Sequence, residues 1–181
     1  MLIADGRRLM GMDKPLFEIN DNIINEVVEI TKKMSKLEGD LKRLSKIKWE
    51  EYNPYDEISF LKAVHMVENQ QLMHAQINSL FAWAASSELN SLIKACVVHY
   101  ELASVYQAGN NQVARLWQSV VLYNYDKLFE LIPIESVIDA NLQEYYHAIE
   151  ISRQNNNSTV FIEFMLEMIL RAIDSYTRRY A

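Results

Sequence analysis

Residues that interrupt helices are scarce in this chain, which holds only 4 glycines and 3 prolines among 181 residues. A fold of many short strands needs turns, and turns draw heavily on these two residue types. Apolar residues recur instead at three- and four-residue steps, the spacing that places them on one face of a helix. The sequence therefore predicts an all-α fold of about seven helices, without a convincing pair of strands.

Composition narrows the class of protein. Half of the residues are hydrophobic, so we expect a packed core, and the length suits one domain better than two. The net charge of −6 argues against broad binding to nucleic acid or to an anionic membrane. The single cysteine, Cys96, excludes an internal disulfide and fits a reducing compartment. The N-terminal sequence has no long apolar core, and no apolar run in the chain is long enough to span a bilayer, so a cytoplasmic protein is expected.

The first part of the chain is predicted to be an arm followed by a long helix. Residues 1–19 form the arm, which joins the body near Pro15–Ile19, and residues 20–181 form a single helical domain. Asp21 is the predicted cap of a helix that starts near Asn22. Gly39 is expected to weaken this helix or split it. Its apolar stripe is predicted to contain Ile24, Val27, Val28, Thr31, Met34, Leu37, Leu41 and Leu44.

Further helices are predicted along the rest of the chain, at about 56–69, 72–86 and 90–105. The helix at 90–105 is apolar on most sides and is therefore placed at the centre. Another helix follows the polar stretch near residue 111. Pro133 begins one more, which reaches about Ser152. Ser158 or Thr159 caps the last helix, which is predicted to turn inward Phe161, Phe164, Met165, Met168, Ile169 and Ile173.

Two groups of side chains could be reactive, but ordinary packing explains each of them as well. Cys96 and His99 lie one turn apart on an apolar helix, where a thiolate–imidazole dyad is conceivable. A buried structural cysteine and a packed histidine are the favoured interpretation, because free cysteine is so often part of a core. Tyr145 and Tyr146 offer a stacking face for a nucleotide base, but adjacent helical residues point in different directions and only one of them can serve. Packing is again favoured.

The stretch YQAGNNQVARLWQ, at 106–118, is the best candidate site. A polar loop at a helix start presents free backbone N–H groups and the positive end of the helix dipole, which together attract an anion. The predicted anion-binding residues are Gly109, Asn110, Asn111 and Gln112, and Arg115 adds a charged contact. The alternative is an ordinary capped turn, since glycine–asparagine turns are common.

From this stretch onward the sequence resembles the Fic family, whose members transfer AMP from ATP onto protein hydroxyls. The likeness is strongest over 90–166, where LIKACVVHYE is similar to the helix that leads into the family's active loop. The ordered series IPIES, QEYYHAI and STVFIEFML is similar to the stretch that follows that loop. The segments KPLFEINDNIINEVVEI and NPYDEISFLKAVHM extend the likeness toward the N-terminus in broken blocks. The resemblance implies the helical Fic fold.

The active loop departs from the family's pattern, H-P-F-x-D/E-G-N-G-R-x-x-R. Aligned backward from Arg115, Ser104 takes the place of the catalytic histidine and Ala108 that of the acidic metal ligand. Aligned forward from HYE at 99–101, Tyr106 takes the place of the histidine. The turn at Gly109-Asn110 and the second arginine, Arg115, are retained. Two further pieces of the pattern have no counterpart: the flap with its F-R-T-G-like sequence and the inhibitory S/T-x-x-x-E-G/N motif.

The resemblance and its departures together imply a catalytically degenerate Fic-like protein. The leading hypothesis is a non-enzymatic interaction or regulatory module, with a protein partner or a second copy of itself and with no cofactor or metal. The alternative is a residual ATP- or AMP-binding protein without metal, or an atypical protein adenylyltransferase, in which Tyr145 or Tyr146 lines the base pocket. A third alternative is a gene product without a selected role.

Overall fold

The structure, a computed structural model, describes residues 15–44, 73–105 and 111–180. These ranges contain seven α-helices, one 3-10 helix and no strand, which confirms the all-α prediction. The predicted helix at 56–69 lies outside the described residues. The helices are α1 (Asp21–Leu44), α2 (Met73–Ser86), α3 (Ser91–Val105), α4 (Asn111–Tyr125), the 3-10 helix Lys127–Leu131, α5 (Ile134–Asp139), α6 (Leu142–Gln154) and α7 (Thr159–Tyr180).

Helix α3 lies at the centre of the fold, as its sequence predicts. It packs against α2, α4, α6 and α7. A helix that is apolar on nearly all sides can bury all of them only when other helices surround it. Its N-terminus is capped by Asn90, whose Oδ1 accepts a hydrogen bond from the Leu92 N–H at 2.9 Å. The buried residues of α3 are Leu92, Ile93, Ala95, Cys96, Val97, Val98, His99, Tyr100, Glu101, Leu102 and Ala103.

Helix α7 is the second element of the core, and α1, α3, α5 and α6 all contact it. Five of the six residues predicted to point inward are fully buried, and the sixth, Phe164, is partly buried against the same core. A smaller cluster joins α2, α3 and α4 around Leu80, Leu102 and Trp117. Within the three described ranges, no helix is both long enough and apolar enough to cross a membrane.

Helix α1 differs from its prediction in its cap and in its buried face. Asn20, rather than Asp21, caps it: the Asn20 Oδ1 accepts the Ile23 N–H at 3.0 Å. The buried face contains Ile23, Ile30, Met34 and Leu37, whereas the predicted Ile24 and Val28 are 48% and 44% exposed. The stretch carries two neighbouring apolar tracks with the same helical spacing, and contact with α7 selects one of them.

Gly39 does not split α1, which continues to Leu44. A Cβ atom added at Gly39 would meet nothing within 4 Å, so the position faces open space. Glycine in a helix interior lowers stability by about 1 kcal/mol relative to alanine, which is too little to break a helix held by its packed face.

The helix predicted from Pro133 to Ser152 is two helices, α5 and α6, separated at Ala140–Asn141. The Asn141 side chain donates to the Val137 carbonyl at 2.7 Å, and its backbone N–H bonds to the Ile138 carbonyl at 2.9 Å. Asparagine competes with helical hydrogen bonding in this way and favours turns. The break leaves Asp139 at the end of α5. Pro133 is the residue that precedes α5, close to its predicted place.

Ser158 directly precedes α7, as predicted for a cap, and its carbonyl accepts the Ile162 N–H at 2.9 Å, but the side chains of Ser158 and Thr159 bond to the N-terminal segment. The Leu16 carbonyl accepts hydrogen bonds from the Ser158 N–H at 2.9 Å and from its hydroxyl at 3.1 Å. The Thr159 hydroxyl accepts the Glu18 N–H at 2.8 Å. The first amides of α7 are satisfied by other side chains: Asn157 Oδ1 accepts from Thr159, and the buried Ser152 Oγ accepts from Phe161. The division at 19/20 between arm and domain stays a prediction.

The two adjacent isoleucines of α1 test which face is buried. Ile23→Ala is expected to lower the free energy of unfolding by about 2–5 kcal/mol, because Ile23 is fully buried and its loss leaves a cavity. Ile24→Ala is the matched control and is expected to lower it by less than about 1 kcal/mol. Urea titration measures both values. Equal losses, or a larger loss for Ile24→Ala, would contradict the observed face.

Candidate functional site

The candidate site lies where α3 ends and α4 begins. Tyr106, Gly109 and Asn110 fall outside the described residues. Asn111 and Gln112 form the first turn of α4, a helix of 15 residues. Their position agrees with the predicted helix start beside the polar loop. The first amides of α4 have no partner within the helix, and they carry the positive end of its dipole.

Arg115 is held by residues of its own chain. Its Nη1 donates to the Asp139 Oδ1 at 2.6 Å, and its guanidinium carbon lies 5.4 Å from the centre of the Tyr145 ring. Only 14% of its side chain is exposed, whereas Asp139 is 60% exposed. A cation above an aromatic ring and beside a carboxylate is stabilised by both. The Arg115 Nε is buried and makes no hydrogen bond within the described chain.

His99 forms a buried polar network next to Arg115. Its Nδ1 lies 2.5 Å from the Gln118 Oε1, and its Nε2 lies 2.8 Å from the Tyr145 hydroxyl. An amide oxygen can only accept, so Nδ1 carries the proton, and Nε2 accepts from the hydroxyl. All three side chains are almost completely buried. The Gln118 Nε2 is also buried and has no hydrogen-bond partner among the described residues.

The network keeps His99 neutral. Burial lowers the pKa of His99 to about 4, the hydrogen bond to Gln118 opposes this shift, and the positive charge of Arg115 adds to it. Burial raises the pKa of Tyr145, against the opposing effect of Arg115. With both ring nitrogens engaged and no charge at neutral pH, His99 holds α3, α4 and α6 together and does not present a proton to solvent.

A Cys96–His99 dyad is not formed. The two ring nitrogens of His99 contact Gln118 and Tyr145 instead of the thiol. Cys96 is fully buried, and burial raises its pKa, so the reactive thiolate is disfavoured. The favoured interpretation, a structural cysteine and a packed histidine, is confirmed. No group of three or more His, Cys, Asp or Glu residues in the described ranges is placed to hold a metal ion.

The two tyrosines of α6 point in different directions. Tyr145 is fully buried and packs against His99 and Phe161, so its ring is not open to a nucleotide base. Tyr146 is 52% exposed. Ser104, one candidate for the position of the missing histidine, is partly buried, and its hydroxyl makes no hydrogen bond within the described residues.

Sequence reasoning did not find Gln118 and Asp139, the two residues that engage His99 and Arg115. Gln118 lies three residues after Arg115, so the two share a face of α4, and this spacing was an available signal. Asp139 had no such signal, because its place depends on the break between α5 and α6. The cleft of about 280 Å³ between α4 and α5, with Ser119 and Glu130 in its wall, contains no residue of the predicted site.

Comparison with known proteins identifies the architecture. No protein-family model and no curated protein matches the chain. The chain is similar to the crystal structure of a Fic family protein from Desulfovibrio desulfuricans G20, with a TM-score of 0.67 and 18% sequence identity. The match covers 92% of this chain and 77% of that chain. The all-α fold described above is therefore a Fic-like fold, as the resemblance of the sequence implied. At this identity the similarity extends to the fold alone.

Adjacent tyrosines test the buried network. Tyr145→Phe removes the donor to His99 Nε2 and leaves that buried nitrogen unsatisfied, so we expect the free energy of unfolding to fall by about 1–3 kcal/mol. Tyr146→Phe, the matched control on the exposed side, is expected to change it by less than roughly 0.5 kcal/mol. Chemical denaturation measures both. A Tyr145→Phe protein as stable as the control would show that the hydrogen bond contributes nothing.

The protonation state of His99 is a separate prediction. Its pKa is lower in the folded than in the unfolded chain, so its contribution to stability is present above pH 6.5 and is lost as pH falls toward about 4. Nitrogen NMR of the imidazole is expected to show a proton on Nδ1 and a titration midpoint near pH 4. A midpoint near 6.5, or a proton on Nε2 at neutral pH, would contradict the network.

Proposed function

We propose that this protein is a catalytically degenerate Fic-fold module that acts through protein contacts instead of AMP transfer. One observation carries the proposal: Arg115, the second arginine of the family's loop pattern, is bonded to Asp139 and stacked over Tyr145 in its own chain. The charge that would meet a phosphate is already neutralised by a carboxylate.

The chemistry of AMP transfer supports the same conclusion. A base must take the proton of the target hydroxyl, and magnesium with backbone donors must stabilise the phosphates. The sequence has Ser104 or Tyr106 where the base stands, and Ala108 where the metal ligand stands. A tyrosine with an ordinary pKa near 10 is a poor base at neutral pH. His99, the nearest described histidine in sequence, is neutral and engaged on both nitrogens.

Exposed apolar side chains support a role in protein contacts. Ile24 and Val28 form a pair one turn apart on α1, with 48% and 44% exposure. Leu142 and Tyr146 form a second pair at the same spacing on α6, with 37% and 52% exposure. Apolar and aromatic side chains of this kind are typical of contact surfaces. A protein partner or a second copy of the chain is part of the proposal.

A residual ATP- or AMP-binding protein, or an atypical adenylyltransferase, is the second candidate. The observation that favours it is the buried Arg115 Nε without a hydrogen-bond partner in the described chain, in the second turn of α4, near amides that also lack helical partners. In this case a phosphate would compete with Asp139 for Arg115, and the loop would not have to supply a metal ligand.

Titration with ATP, ADP and AMP, with and without magnesium, separates the two candidates. Calorimetry is expected to show no saturable heat at millimolar nucleotide, because Arg115 is already paired with Asp139. Saturable binding that Arg115→Ala abolishes, and that the surface variant Arg153→Ala retains, would establish the second candidate. Thermal melts of both variants show whether the fold is intact.

Contact with a partner is tested directly. Purification from native cells, followed by light scattering, is expected to recover a stoichiometric protein partner or a defined oligomer. Incubation of the chain with labelled ATP and a cell lysate is expected to label no protein. A labelled band that is lost in Tyr106→Phe would overturn the proposal, and so would a strictly monomeric protein that no partner accompanies.

A further inference from the structure

A cleft of about 400 Å³ runs between α1 and α7, away from the candidate site, and three glutamates are part of its lining. Glu26 of α1 faces Glu163 and Glu167, which lie one turn apart on α7. The Asn20 and Asn22 side chains donate to the Glu163 Oε1 at 2.8 and 3.2 Å. Two helices that must pack together thus present three acidic side chains to each other.

Glu26 is the unsatisfied member of this group. Its Oε2 is buried, and it has no hydrogen bond or ion pair within the described residues. Its two acidic neighbours have partners: Glu163 accepts hydrogen bonds from the asparagine amides, and Glu167 forms an ion pair with Arg171 at 2.5 Å. Glu26 as a whole is half-buried, so its ionised form beside two like charges is disfavoured, whereas its protonated form is tolerated.

In the described structure no cation pairs with Glu26, and the cation closest to the cluster, Arg171, is paired with Glu167. On α1 itself, the first basic groups toward the C-terminus are the exposed Lys32 and then Lys33, which bonds to Asp174 of α7 and lies near Glu29. On α3, the group whose pKa is affected by the charge of Glu26 is the buried Cys96 thiol, which is uncharged because burial raises its pKa. The charged groups that α7 turns toward Glu26 are Glu163 and Glu167, both of which repel it.

We propose that the contact between α1 and α7 is a pH-sensitive joint, which closes when Glu26 is protonated and loosens when Glu26 ionises. The opening would uncover the buried face of α1, which contains Ile23, Ile30, Met34 and Leu37. The joint does not depend on the proposed function, since none of its residues belongs to the candidate site.

The direction of the pH effect follows from the cluster. Burial, and then the charges of Glu167 and Glu163, raise the pKa of Glu26 from 4.5 to about 7. The folded chain therefore holds a proton that the unfolded chain releases between these values. Stability from this group is fully present below pH 4.5 and is lost as pH rises through about 7. The stability that His99 contributes changes in the opposite direction over an overlapping pH range. The effect of Glu26 is therefore measured as the difference between two proteins that both contain His99.

Glu26→Gln, which imitates the protonated side chain, tests the joint. Melting temperatures of this variant and of the wild type are expected to agree closely at pH 4.5 and to diverge as the pH rises to about 7. Above pH 7 the separation is expected to stay constant, with the variant higher by about 5 °C at pH 8.5. Glu150→Gln is the matched control, because Glu150 is 45% exposed and its pKa is lowered by Gln154 and Arg153. It is expected to show no trend over the same range. Parallel curves for Glu26→Gln and the wild type between pH 4.5 and 7 would overturn the proposal.

Two further measurements locate the effect. Hydrogen exchange at pH 8, with the two proteins compared at the same pH, is expected to be about tenfold slower over α1 in Glu26→Gln than in the wild type. The slowing over α3 is expected to be no larger, because its core amides exchange through the global unfolding that the melting temperatures report. Equal exchange over α1 in the two proteins would overturn the joint. Carbon NMR of the Glu26 carboxyl in the wild-type protein is expected to titrate near pH 7, and a midpoint near 4.5 would overturn the proposal even if the variant does not fold.

Discussion

Burial of α3 on nearly every side is the constraint on which the rest of the described structure depends. The helix contains a histidine, and a buried histidine needs polar partners. Gln118 of α4 and Tyr145 of α6 supply them, so one pair of hydrogen bonds fixes how both helices meet α3. Arg115 then covers Tyr145 and reaches Asp139. His99, Tyr145 and Arg115 therefore form contacts that hold the helices together. A fold does not by itself imply a function.

The sequence predicts best those helices whose apolar pattern allows only one way of burying them. Helix α3 is apolar almost all round and α7 has one broad stripe, so each could be placed before any partner was known. Helix α1 has two apolar tracks, and only contact with α7 decides that Ile23 is buried and Ile24 is exposed. The break at Asn141 comes from a side chain that competes with helical hydrogen bonds, which apolar spacing does not report. In the site, Arg115 could be predicted, but its partner Asp139 could not, because that contact depends on the break.

Two titrating groups give this fold opposite responses to acid. Ionisation of Glu26 opposes the packing of α1, whereas protonation of His99 opposes the packing around α3. Their windows overlap between about pH 4.5 and 6.5, where the stabilities they contribute change in opposite directions. A flat dependence of overall stability on pH would therefore conceal two local sensitivities, one in α1 and the other in the core beneath the candidate site.

The contact of Leu16 and Glu18 with Ser158 and Thr159 also bears on how the chain is made. These hydrogen bonds join residues that are 141 and 142 positions apart. Closing so long a loop has a high entropic cost, and such contacts form late. During synthesis α1 emerges before α7, the helix against which its apolar face packs. Ile23 and Ile30 therefore lack their contacts with α7 until residues 159–180 have also been made.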